Sequence, residues 1–307
     1  MNSKYRVLII GYGSIGQRHA RLLIESGAQV SIVSRRKLEL PNVFHNIEIA
    51  LSKSNPSHII ISTETSAHIE AMRTIRDTSF QGSILVEKPL FASTPPDLPV
   101  INNCYVAYNL RFHPLVQRMK QILQTEQVIS VSAYVGQYLP SWRPQTDYRT
   151  CYSAKRDCGG GVLRDLSHEL DYLSFLFGPW NSLVAHGGKF SSLEIDSDDL
   201  FSITYETQIV KSINVHLNYL DRFPQRYLCV NTTTSTFHVD FISGSIRENE
   251  HSIAVDVHRD FTYREQLKAF LSSDSKNLCT INEGLEVMKM IEAAEFSSKK
   301  KVWVTNG

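Results

Sequence analysis

The stretch Tyr5-Arg6-Val7-Leu8-Ile9-Ile10-Gly11-Tyr12-Gly13-Ser14-Ile15-Gly16 decides the fold. It begins as an alternating pattern and becomes continuously apolar, which is typical of a buried parallel strand. A G-x-G-x-x-G motif follows at once, then a helical pattern over 17–26 and a second strand over 29–33. This order of strand, glycine motif, helix and strand is the context in which the motif binds a dinucleotide. It favours a nucleotide-binding domain over a glycine-rich structural turn.

Each glycine of this turn has its own expected role. Gly11 allows the tight turn, Gly13 lets the backbone approach a pyrophosphate, and Gly16 lets the helix pack closely on the strand. The helix N-terminus then faces the phosphates. The rest of the predicted phosphate loop consists of Tyr12, Ser14 and Ile15.

The end of the second strand predicts which cofactor binds. Proteins that bind NAD place Asp or Glu there to accept a hydrogen bond from the ribose 2′-hydroxyl. This chain has Ser34-Arg35-Arg36-Lys37 and no acid. A hydroxyl and two guanidinium groups suit a 2′-phosphate, because arginine offers charged, planar, bidentate donors. We expect NADP, with NAD as the alternative cofactor and a solvated basic loop as the alternative interpretation.

Composition excludes several classes of protein. The chain has 307 residues, of which 42% are hydrophobic and 21% charged, as in soluble globular proteins of two domains. Its net charge of +1 gives no field that would attract nucleic acid or an anionic membrane. The five cysteines form no C-x-x-C pair, so we expect reduced thiols in a cytoplasmic protein without a disulfide framework or a metal site.

A second glycine run, Gly159-Gly160-Gly161, precedes a predicted helix that carries polar and ionisable side chains. At about 100° per residue, Asp165, His168 and Tyr172 fall on one face of that helix. The opposite face is an apolar stripe of Leu163, Leu166, Leu170, Leu173 and Phe177. The polar face is either a catalytic surface or the ordinary solvated face of an amphipathic helix.

The remaining periodicities predict two domains. Strands over 58–62, 83–86 and 104–107 alternate with helices over 47–54, 63–77 and 114–124, as in a parallel α/β sheet. Later strands are predicted over 126–136, 200–205, 211–218, 226–231, 236–241, 245–247, 252–258 and 301–305, with helices over 260–271 and 282–296. We therefore predict an α/β protein with an N-terminal Rossmann domain (1–122). An α+β domain with a large, mostly antiparallel open sheet (123–307) follows it.

Four pieces of the chain carry a family resemblance. They are the motif of residues 11–16, Glu87-Lys88-Pro89, Tyr108-Asn109-Leu110-Arg111-Phe112, and the second glycine run with Asp165, His168 and Asp171. In this order they resemble the glucose–fructose oxidoreductase / inositol dehydrogenase (Gfo/Idh/MocA) family of NAD(P)-dependent sugar and polyol oxidoreductases. The resemblance implies a Rossmann domain followed by an open α/β domain, with the active site between them.

The resemblance implies that Lys88 is the catalytic lysine, which contacts the reacting hydroxyl near the nicotinamide. A lysine at the C-terminal end of a parallel strand also lies at the crevice where such folds bind ligands. We expect further cofactor contacts from Thr63, Thr65, His68 and Glu87. We expect substrate contacts from Asn109, Arg111 and Tyr172, and either substrate binding or a structural role from Asp171.

The segment 137–156 is polar, aromatic and basic, with no clear period. A loop of this length inside a compact domain is usually functional. Aromatic rings there are expected to stack on a sugar or base, and arginines to bind carboxylate or phosphate. The expected substrate contacts are Tyr138, Trp142, Arg143, Tyr148 and Arg149, with Tyr152 and Arg156 as further candidates. The alternative is a structural arm that packs on a neighbouring subunit.

Asp165 and His168 are three residues apart, whereas many family members space them by four. The shorter Ser-His-Glu-Leu-Asp form resembles branches associated with bacterial surface-sugar and sialic-acid-like pathways. The shorter spacing turns the histidine by about 100° relative to the carboxylate. The role of His168 therefore depends more on the structure than the role of Lys88 does.

These observations predict a reversible NADP(H)-dependent alcohol/ketone oxidoreductase that acts on a sugar or sugar derivative. His168 is expected to take the hydroxyl proton, Lys88 to hydrogen-bond the reacting oxygen, and Asp165 to orient both. The free face of the second sheet is expected to form a homodimer or homotetramer. The alternatives are a non-catalytic NADP-binding regulatory protein and a reductase of a non-sugar ligand such as a linear tetrapyrrole or an imine.

Overall fold

The computed structural model describes residues 5–307, which form two compact units. The first unit contains residues 5–109 and the returning segment Thr262–Leu285. The second contains Leu110–Phe261 and Glu286–Gly307. Among the described residues, no helix is both long enough and apolar enough to cross a membrane.

The elements follow one another in three groups. Up to residue 109 they are β1 (Arg6–Ile10), α1 (Ser14–Glu25), β2 (Gln29–Val33), β3 (Val43–Phe44), α2 (Ile47–Ser54), β4 (His58–Ile61), α3 (His68–Arg76), β5 (Ser83–Val86) and β6 (Cys104–Val106). Next come α4 (Pro114–Ile122), β7 (Val128–Gly136), α5 (Val162–Asp165), α6 (His168–Phe177), β8 (Trp180–Gly188), β9 (Leu200–Thr207), β10 (Ile213–Asn218), β11 (Gln225–Thr232), β12 (Thr236–Asp240), β13 (Ser245–Glu248) and β14 (His251–Ala254). The last group is α7 (Phe261–Ser272), β15 (Cys279–Thr280), α8 (Ile281–Lys300) and β16 (Val304–Thr305).

The sheet of the first unit has the strand order β3-β2-β1-β4-β5-β6-β15. Its first six strands are parallel, in the order of a dinucleotide-binding fold, and β15 adds an antiparallel edge. Ile10 lies level with Val33 on one side and Ile61 on the other. The residues that follow these three strands therefore emerge at the same edge of the sheet.

The sheet of the second unit has nine strands in the order β14-β13-β12-β11-β7-β10-β9-β8-β16. All pairings between neighbouring strands of this sheet are antiparallel except that of β10 with β7. Burial alternates along β9 and β11, so one face of the sheet is covered and the other is more open. These features confirm the predicted fold class: a Rossmann-type domain and a domain with a mostly antiparallel sheet.

Several boundaries differ from the predicted ones. The units divide after Asn109, where the predicted boundary is 122/123, because α4 packs on α6 in the second unit. The segment Thr262–Leu285 returns to the first unit, where β15 pairs with β6. The sequence does not predict β8, because the polar residues Asn181 and Ser182 follow its first residue and two glycines end it. These residues hide the alternation of apolar and polar positions that marks a strand.

The helix predicted after the second glycine run is two helices, α5 and α6, separated at Leu166 and Ser167. The prediction that its polar side faces away from the core is wrong for Asp165 and Tyr172, which are 4% and 0% exposed. Asp165 is the last residue of α5, where Tyr219 contacts it. Tyr172 is buried because α6 is covered on more than one side. Helix α4 packs on it, and Phe241, which follows β12, contacts the Tyr172 ring.

Candidate active site

The first glycine turn (residues 11–16) follows β1 and shows three different constraints. Gly11 has φ of 96°, and a Cβ there would lie 2.6 Å from the Ser62 carbonyl oxygen. A Cβ on Gly16 would lie 2.3 Å from the Gly11 carbonyl oxygen. At Gly13 a Cβ would meet no described atom within 4 Å. Gly11 and Gly16 are therefore required by packing, whereas Gly13 keeps space open in front of the turn, which fits a pyrophosphate.

The helix that leaves this turn has an uncapped N-terminus. Gly13 is the N-cap of α1 and supplies no side-chain hydrogen bond, and the first turn carries no acidic side chain. The first amide groups of a helix have no partner within the helix itself, and the helix dipole is positive there. The N-terminus of α1 is therefore suited to bind an anionic group such as phosphate.

The residues after β2 lie beside this turn. Ser34 is buried, and its hydroxyl accepts a hydrogen bond from the Arg36 amide at 3.1 Å. The Arg36 guanidinium donates to the Tyr12 carbonyl. Arg35 and Lys37 are exposed. One hydroxyl and three cations thus follow the strand, and none of these four residues is acidic.

The segment after β4 contains three predicted cofactor contacts. The Thr63 hydroxyl is buried and has no hydrogen-bond partner in the described chain, so it can bind a ligand. Thr65 is buried. His68 is different, because its ring nitrogens lie 3.0 Å from the Leu90 carbonyl and 3.3 Å from the Thr63 carbonyl, and burial lowers its pKa. The His68 ring therefore connects two loops, and its contact with the cofactor stays a prediction.

The Glu-Lys-Pro segment follows β5. Glu87 is buried, and its carboxylate lies 2.7 Å from the His19 ring and accepts the Lys88 amide at 3.2 Å. The Lys88–Pro89 peptide bond is cis, and the Lys88 side chain is half-buried. The Glu87 carboxylate thus links α1 to the backbone of Lys88, and its contact with the cofactor stays a prediction.

Asp165 and His168 lie on opposite sides of the break between α5 and α6. His168 is half-buried, and Asp165 is buried. The Tyr219 hydroxyl donates to Asp165 at 2.6 Å. Burial and the nearby Asp165 raise the pKa of the Tyr152 phenol. Tyr219 did not emerge from the sequence, because it follows β10 and no motif marks it.

Two predicted substrate contacts bind each other instead. Arg111 and Asp171 are 1% and 0% exposed, and they form a bidentate ion pair with contacts of 2.8 to 3.1 Å. Asn109, in the first unit, is buried and donates to the Thr262 hydroxyl at 2.7 Å. Tyr172 is fully buried. The ion pair agrees with the structural alternative for Asp171, whereas substrate binding by Arg111, Asn109 and Tyr172 stays a prediction.

The segment 137–158 forms four short 3₁₀ turns. The Trp142 ring meets the Tyr219 ring edge-on at 5.2 Å, and Trp142 and Arg143 line a small cavity together with Ser153. These two predicted substrate residues therefore lie beside the cluster around Asp165. Arg143 is exposed.

Other predicted residues of this segment brace it. The Arg149 guanidinium binds Asp147 at 2.8 Å and Glu194 at 3.2 Å, so its charge is already engaged. The Tyr148 hydroxyl accepts the Glu194 amide at 3.3 Å. The Tyr138 ring lies 3.6 Å from the guanidinium carbon of Arg222. Acidic neighbours hold the exposed Arg149 side chain, and its contact with substrate stays a prediction.

Two protein-family models match the sequence of this chain. Residues 5–99 match a model described as an oxidoreductase family with an NAD-binding Rossmann fold, and residues 116–246 match the GFO/IDH/MocA C-terminal domain. The chain belongs to the Gfo/Idh/MocA oxidoreductase family. Membership confirms the resemblance inferred from the motifs and shows an NAD-binding oxidoreductase domain. No curated protein sequence matches the chain.

Solved structures of this family share the fold along the whole chain. Levoglucosan dehydrogenase in complex with NADH is 15% identical, with a TM-score of 0.84 and 98% of each chain covered. The WlbA dehydrogenase from Bordetella pertussis, in complex with NADH and UDP-GlcNAcA, is 17% identical, with a TM-score of 0.80 and coverage of 100% and 99%. A protein from Desulfitobacterium hafniense assigned as an NADPH-dependent oxidoreductase is 16% identical, with a TM-score of 0.81 and coverage of 99% and 98%. At these identities the likeness is one of fold.

Proposed function

We propose that this family member is an NADP(H)-dependent oxidoreductase that transfers hydride between the nicotinamide and a hydroxyl or keto group of a sugar derivative. The observation that carries the proposal is that Lys88, Asp165 and His168 are all present, with the Asp165 carboxylate held by the Tyr219 phenol. A protein that only binds the cofactor has no need for such an acid–base set.

The residues divide the work in the following way. Bound nicotinamide supplies the hydride chemistry. Lys88 hydrogen-bonds the reacting oxygen, and His168 takes the proton of the substrate hydroxyl. Asp165 orients these two groups. The first unit holds the cofactor through the first glycine turn, and the second unit supplies substrate contacts.

The preference for NADP over NAD is supported by the residues after β2. Ser34 and Arg36 lie next to the first glycine turn, Arg35 is exposed beside them, and the strand ends without a carboxylate. A charge-assisted hydrogen bond to a 2′-phosphate contributes about 1.5–3 kcal/mol, which NAD cannot provide. The cytoplasm is the proposed compartment, because there the five cysteines remain reduced.

Titration of NADPH and NADH by nicotinamide fluorescence tests this preference. We expect tighter binding of NADPH, and Arg35→Asp is expected to narrow or reverse the difference. Lys53→Asp is the matched control, because it removes an exposed cation of α2 and is expected to leave the ratio of the two affinities unchanged. Equal affinity of the unmodified protein for the two cofactors would contradict the preference.

The proposed substrate is a sugar derivative that carries an anionic group. Trp142 and Arg143 support this class, because an aromatic ring and an exposed guanidinium lie beside the Asp165 cluster. Arginine recognises carboxylate and phosphate through charged, planar donors. The complex of the similar WlbA dehydrogenase with UDP-GlcNAcA is consistent with sugar metabolism of the bacterial surface or sialic-acid-like type.

Two other functions make different predictions for a crystal with bound NADP. In the proposed enzyme, the Lys88 nitrogen and the His168 imidazole both point to the space in front of nicotinamide C4. In a regulatory NADP-binding protein, His168 faces the sheet or bulk solvent instead. A reductase of a linear tetrapyrrole or an imine would keep the first arrangement but reject sugars in a turnover assay.

A further inference from the structure

The turn that carries Lys88 is linked to a buried histidine of α1. The His19 ring is fully buried, and its Nε2 atom lies 2.7 Å from Oε1 of Glu87. The other carboxylate oxygen of Glu87 accepts the Lys88 amide at 3.2 Å. One carboxylate therefore connects the helix that leaves the first glycine turn to the backbone of the proposed catalytic lysine.

The polar atoms of His19 serve this one contact. An ionised carboxylate only accepts hydrogen bonds, so Nε2 of His19 carries the hydrogen that Glu87 accepts. Nδ1 of the same ring is buried and has no hydrogen-bond partner among the described residues. A hydrogen on Nδ1 would therefore be a buried donor without an acceptor, which is unfavourable. The described contacts place the ring hydrogen on Nε2, where it binds Glu87.

Aromatic packing holds the His19 ring in this orientation. Most of helix α7 belongs to the first unit, and its Tyr263 ring meets the His19 ring edge-on, with 6.0 Å between the two centroids. The guanidinium carbon of Arg18 lies 4.9 Å from the centre of the same tyrosine ring. The imidazole is thus enclosed between α1, α7 and the segment after β5. A side chain enclosed in this way keeps its donor directed at one acceptor.

The far end of the same turn is held by a second buried histidine. Nδ1 of His68 lies 3.0 Å from the Leu90 carbonyl oxygen. His68 therefore contacts the turn two residues after Lys88. His19 contacts it through Glu87, one residue before Lys88. Because both flanks of the lysine are held, the position of its backbone depends on these two contacts.

We infer that His19 is a positioning residue, which acts through the Glu87 carboxylate to fix the backbone that carries Lys88. This inference rests on the proposed function, in which Lys88 hydrogen-bonds the reacting oxygen. A displacement of about 1 Å in a catalytic site can cost about 100-fold in rate, because the reacting groups must be aligned. Loss of the His19 donor therefore lowers turnover, although the buried ring itself is not accessible to substrate.

The kinetic test compares two substitutions of His19. His19→Leu removes the donor and fills most of the same space, whereas the amide nitrogen of His19→Gln can still donate to Glu87. We expect kcat to fall about 10- to 100-fold in His19→Leu, with KM for the substrate nearly unchanged. His19→Gln is expected to keep nearly the kcat of the unmodified enzyme.

His58→Gln is the matched control for these variants. His58 is also a buried histidine of the first unit, and it begins β4, at the opposite end of that strand from the site. Its ring contacts the Ser57 hydroxyl at 2.9 Å and the Phe270 ring, not the turn that carries Lys88. We expect His58→Gln to keep the kcat of the unmodified enzyme.

A double-mutant cycle separates positioning from a general structural effect. Lys88→Met removes the amine that His19 is inferred to position. In the Lys88→Met background, His19→Leu is therefore expected to reduce the residual turnover by less than about threefold. A purely structural effect of His19 would lower turnover by the same factor with and without the amine.

A labelling test needs no substrate. Acetic anhydride acetylates lysine amines, and mass spectrometry gives the rate at the half-buried Lys88 relative to the exposed Lys53 of α2. We expect this relative rate to rise several-fold in His19→Leu and to stay unchanged in His19→Gln and His58→Gln. Glu87→Gln is the second variant if His19→Leu does not fold. It is also expected to raise the rate, because an amide has one acceptor oxygen and cannot keep both contacts.

The outcomes separate this inference from the proposed function. A His19→Leu variant with the kcat and the Lys88 labelling rate of His58→Gln would overturn the positioning role while the oxidoreductase activity stands. An equal loss of turnover with and without the Lys88 amine would also overturn it. A raised labelling rate in a protein that oxidises and reduces no tested sugar would overturn the proposed function but leave the link from His19 to Lys88 in place.

Discussion

The two glycine turns of this chain look alike in sequence but differ in structure. Both precede a helix, and both contain a glycine with a positive φ, 96° at Gly11 and 116° at Gly161. The first turn leads into the uncapped, 12-residue helix α1. The second leads into the four-residue helix α5, whose Leu163 amide is bound at 3.1 Å by the Asp198 carboxylate. The first is open to a ligand, whereas the second is closed by the protein itself.

The difference shows what a glycine run before a helix can mean. At Gly13 the missing side chain leaves empty space, which fits the approach of a phosphate. At Gly160 the missing side chain is filled by the backbone of the turn that carries Tyr152. A glycine run is therefore evidence of close approach, and the approaching group is a ligand in one case and the protein's own chain in the other.

The largest expected effect on stability comes from Gly160→Ala. Its Cβ would lie 2.1, 2.7 and 2.8 Å from three backbone carbonyl oxygens, so the Tyr152 turn must move. Overpacking of this kind costs about 1–3 kcal/mol or more, and we expect the free energy of unfolding to fall by about 3 kcal/mol. Urea unfolding followed by circular dichroism measures this change.

Gly13→Ala is the matched substitution in the first turn. Its Cβ meets no described atom within 4 Å, and the residue has an ordinary φ of −76°. We expect an unfolding free energy within about 0.5 kcal/mol of the unmodified protein, together with a clear loss of cofactor affinity. Weaker cofactor binding in Gly160→Ala than in Gly13→Ala, or a large loss of stability in Gly13→Ala, would contradict the comparison.

A pH effect is expected from Asp198, which closes the second turn. Burial raises its pKa from 3.8 to about 6, so the folded state binds this proton more tightly than the unfolded state. The contribution of Asp198 to stability is therefore complete below pH 3.8 and is lost as the pH rises through about 6, a change of about 2–3 kcal/mol.

Asp198→Asn tests this sign, because the amide stays neutral at every pH. Between about pH 4 and pH 8 the variant is expected to gain about 2–3 kcal/mol relative to the unmodified protein in urea unfolding. Glu194→Gln removes an exposed carboxylate near the same loop and is the control. The difference in unfolding free energy between Asp198→Asn and the unmodified protein should therefore vary with pH. A difference that is the same at every pH would show that burial does not destabilise the Asp198 carboxylate.

The smallest expected effect is on self-association, since neither glycine turn takes part in it. On the more open face of the second sheet, the rings of His216, Tyr134, Tyr227 and His238 stack across four strands at 4.9 to 5.5 Å. We propose that this face forms a homodimer or homotetramer. Tyr227→Asp is expected to weaken self-association in light scattering, and Ile49→Asp on α2 is the control. An unmodified protein that is monomeric at micromolar concentration would contradict the proposal.

The fold class could be predicted because its signals are local. The apolar run of β1, the first glycine turn and the missing acid after β2 all lie within a short stretch. Strand alternation also revealed most of the second sheet, but β8 was missed because polar residues and glycines interrupt its pattern. The return of Thr262–Leu285 to the first unit depends on long-range pairing that no local pattern records.

The candidate site was harder to predict because its contacts join distant parts of the chain. Tyr219 reaches Asp165 from the end of β10, and no spacing rule connects the two. Arg111 and Asp171 belong to motifs that suggested substrate binding, yet their opposite charges pair with each other when both are buried. The sequence does not distinguish Arg143 from Arg149. Only the structure shows that Asp147 and Glu194 form ion pairs with Arg149.

The most direct test of the proposed function is turnover measured at the absorbance band of the reduced nicotinamide. The unmodified protein and Lys88→Met are each mixed with NADP⁺ or NAD⁺ and with sugars, sugar acids and nucleotide sugars. We predict turnover of at least one anionic sugar derivative, faster with NADP⁺. We also predict a loss of about 10²–10⁴-fold in Lys88→Met with cofactor binding retained, and a milder loss in Asp165→Asn. A protein that binds NADPH but turns over none of these compounds, or a Lys88→Met variant as active as the unmodified protein, would contradict it.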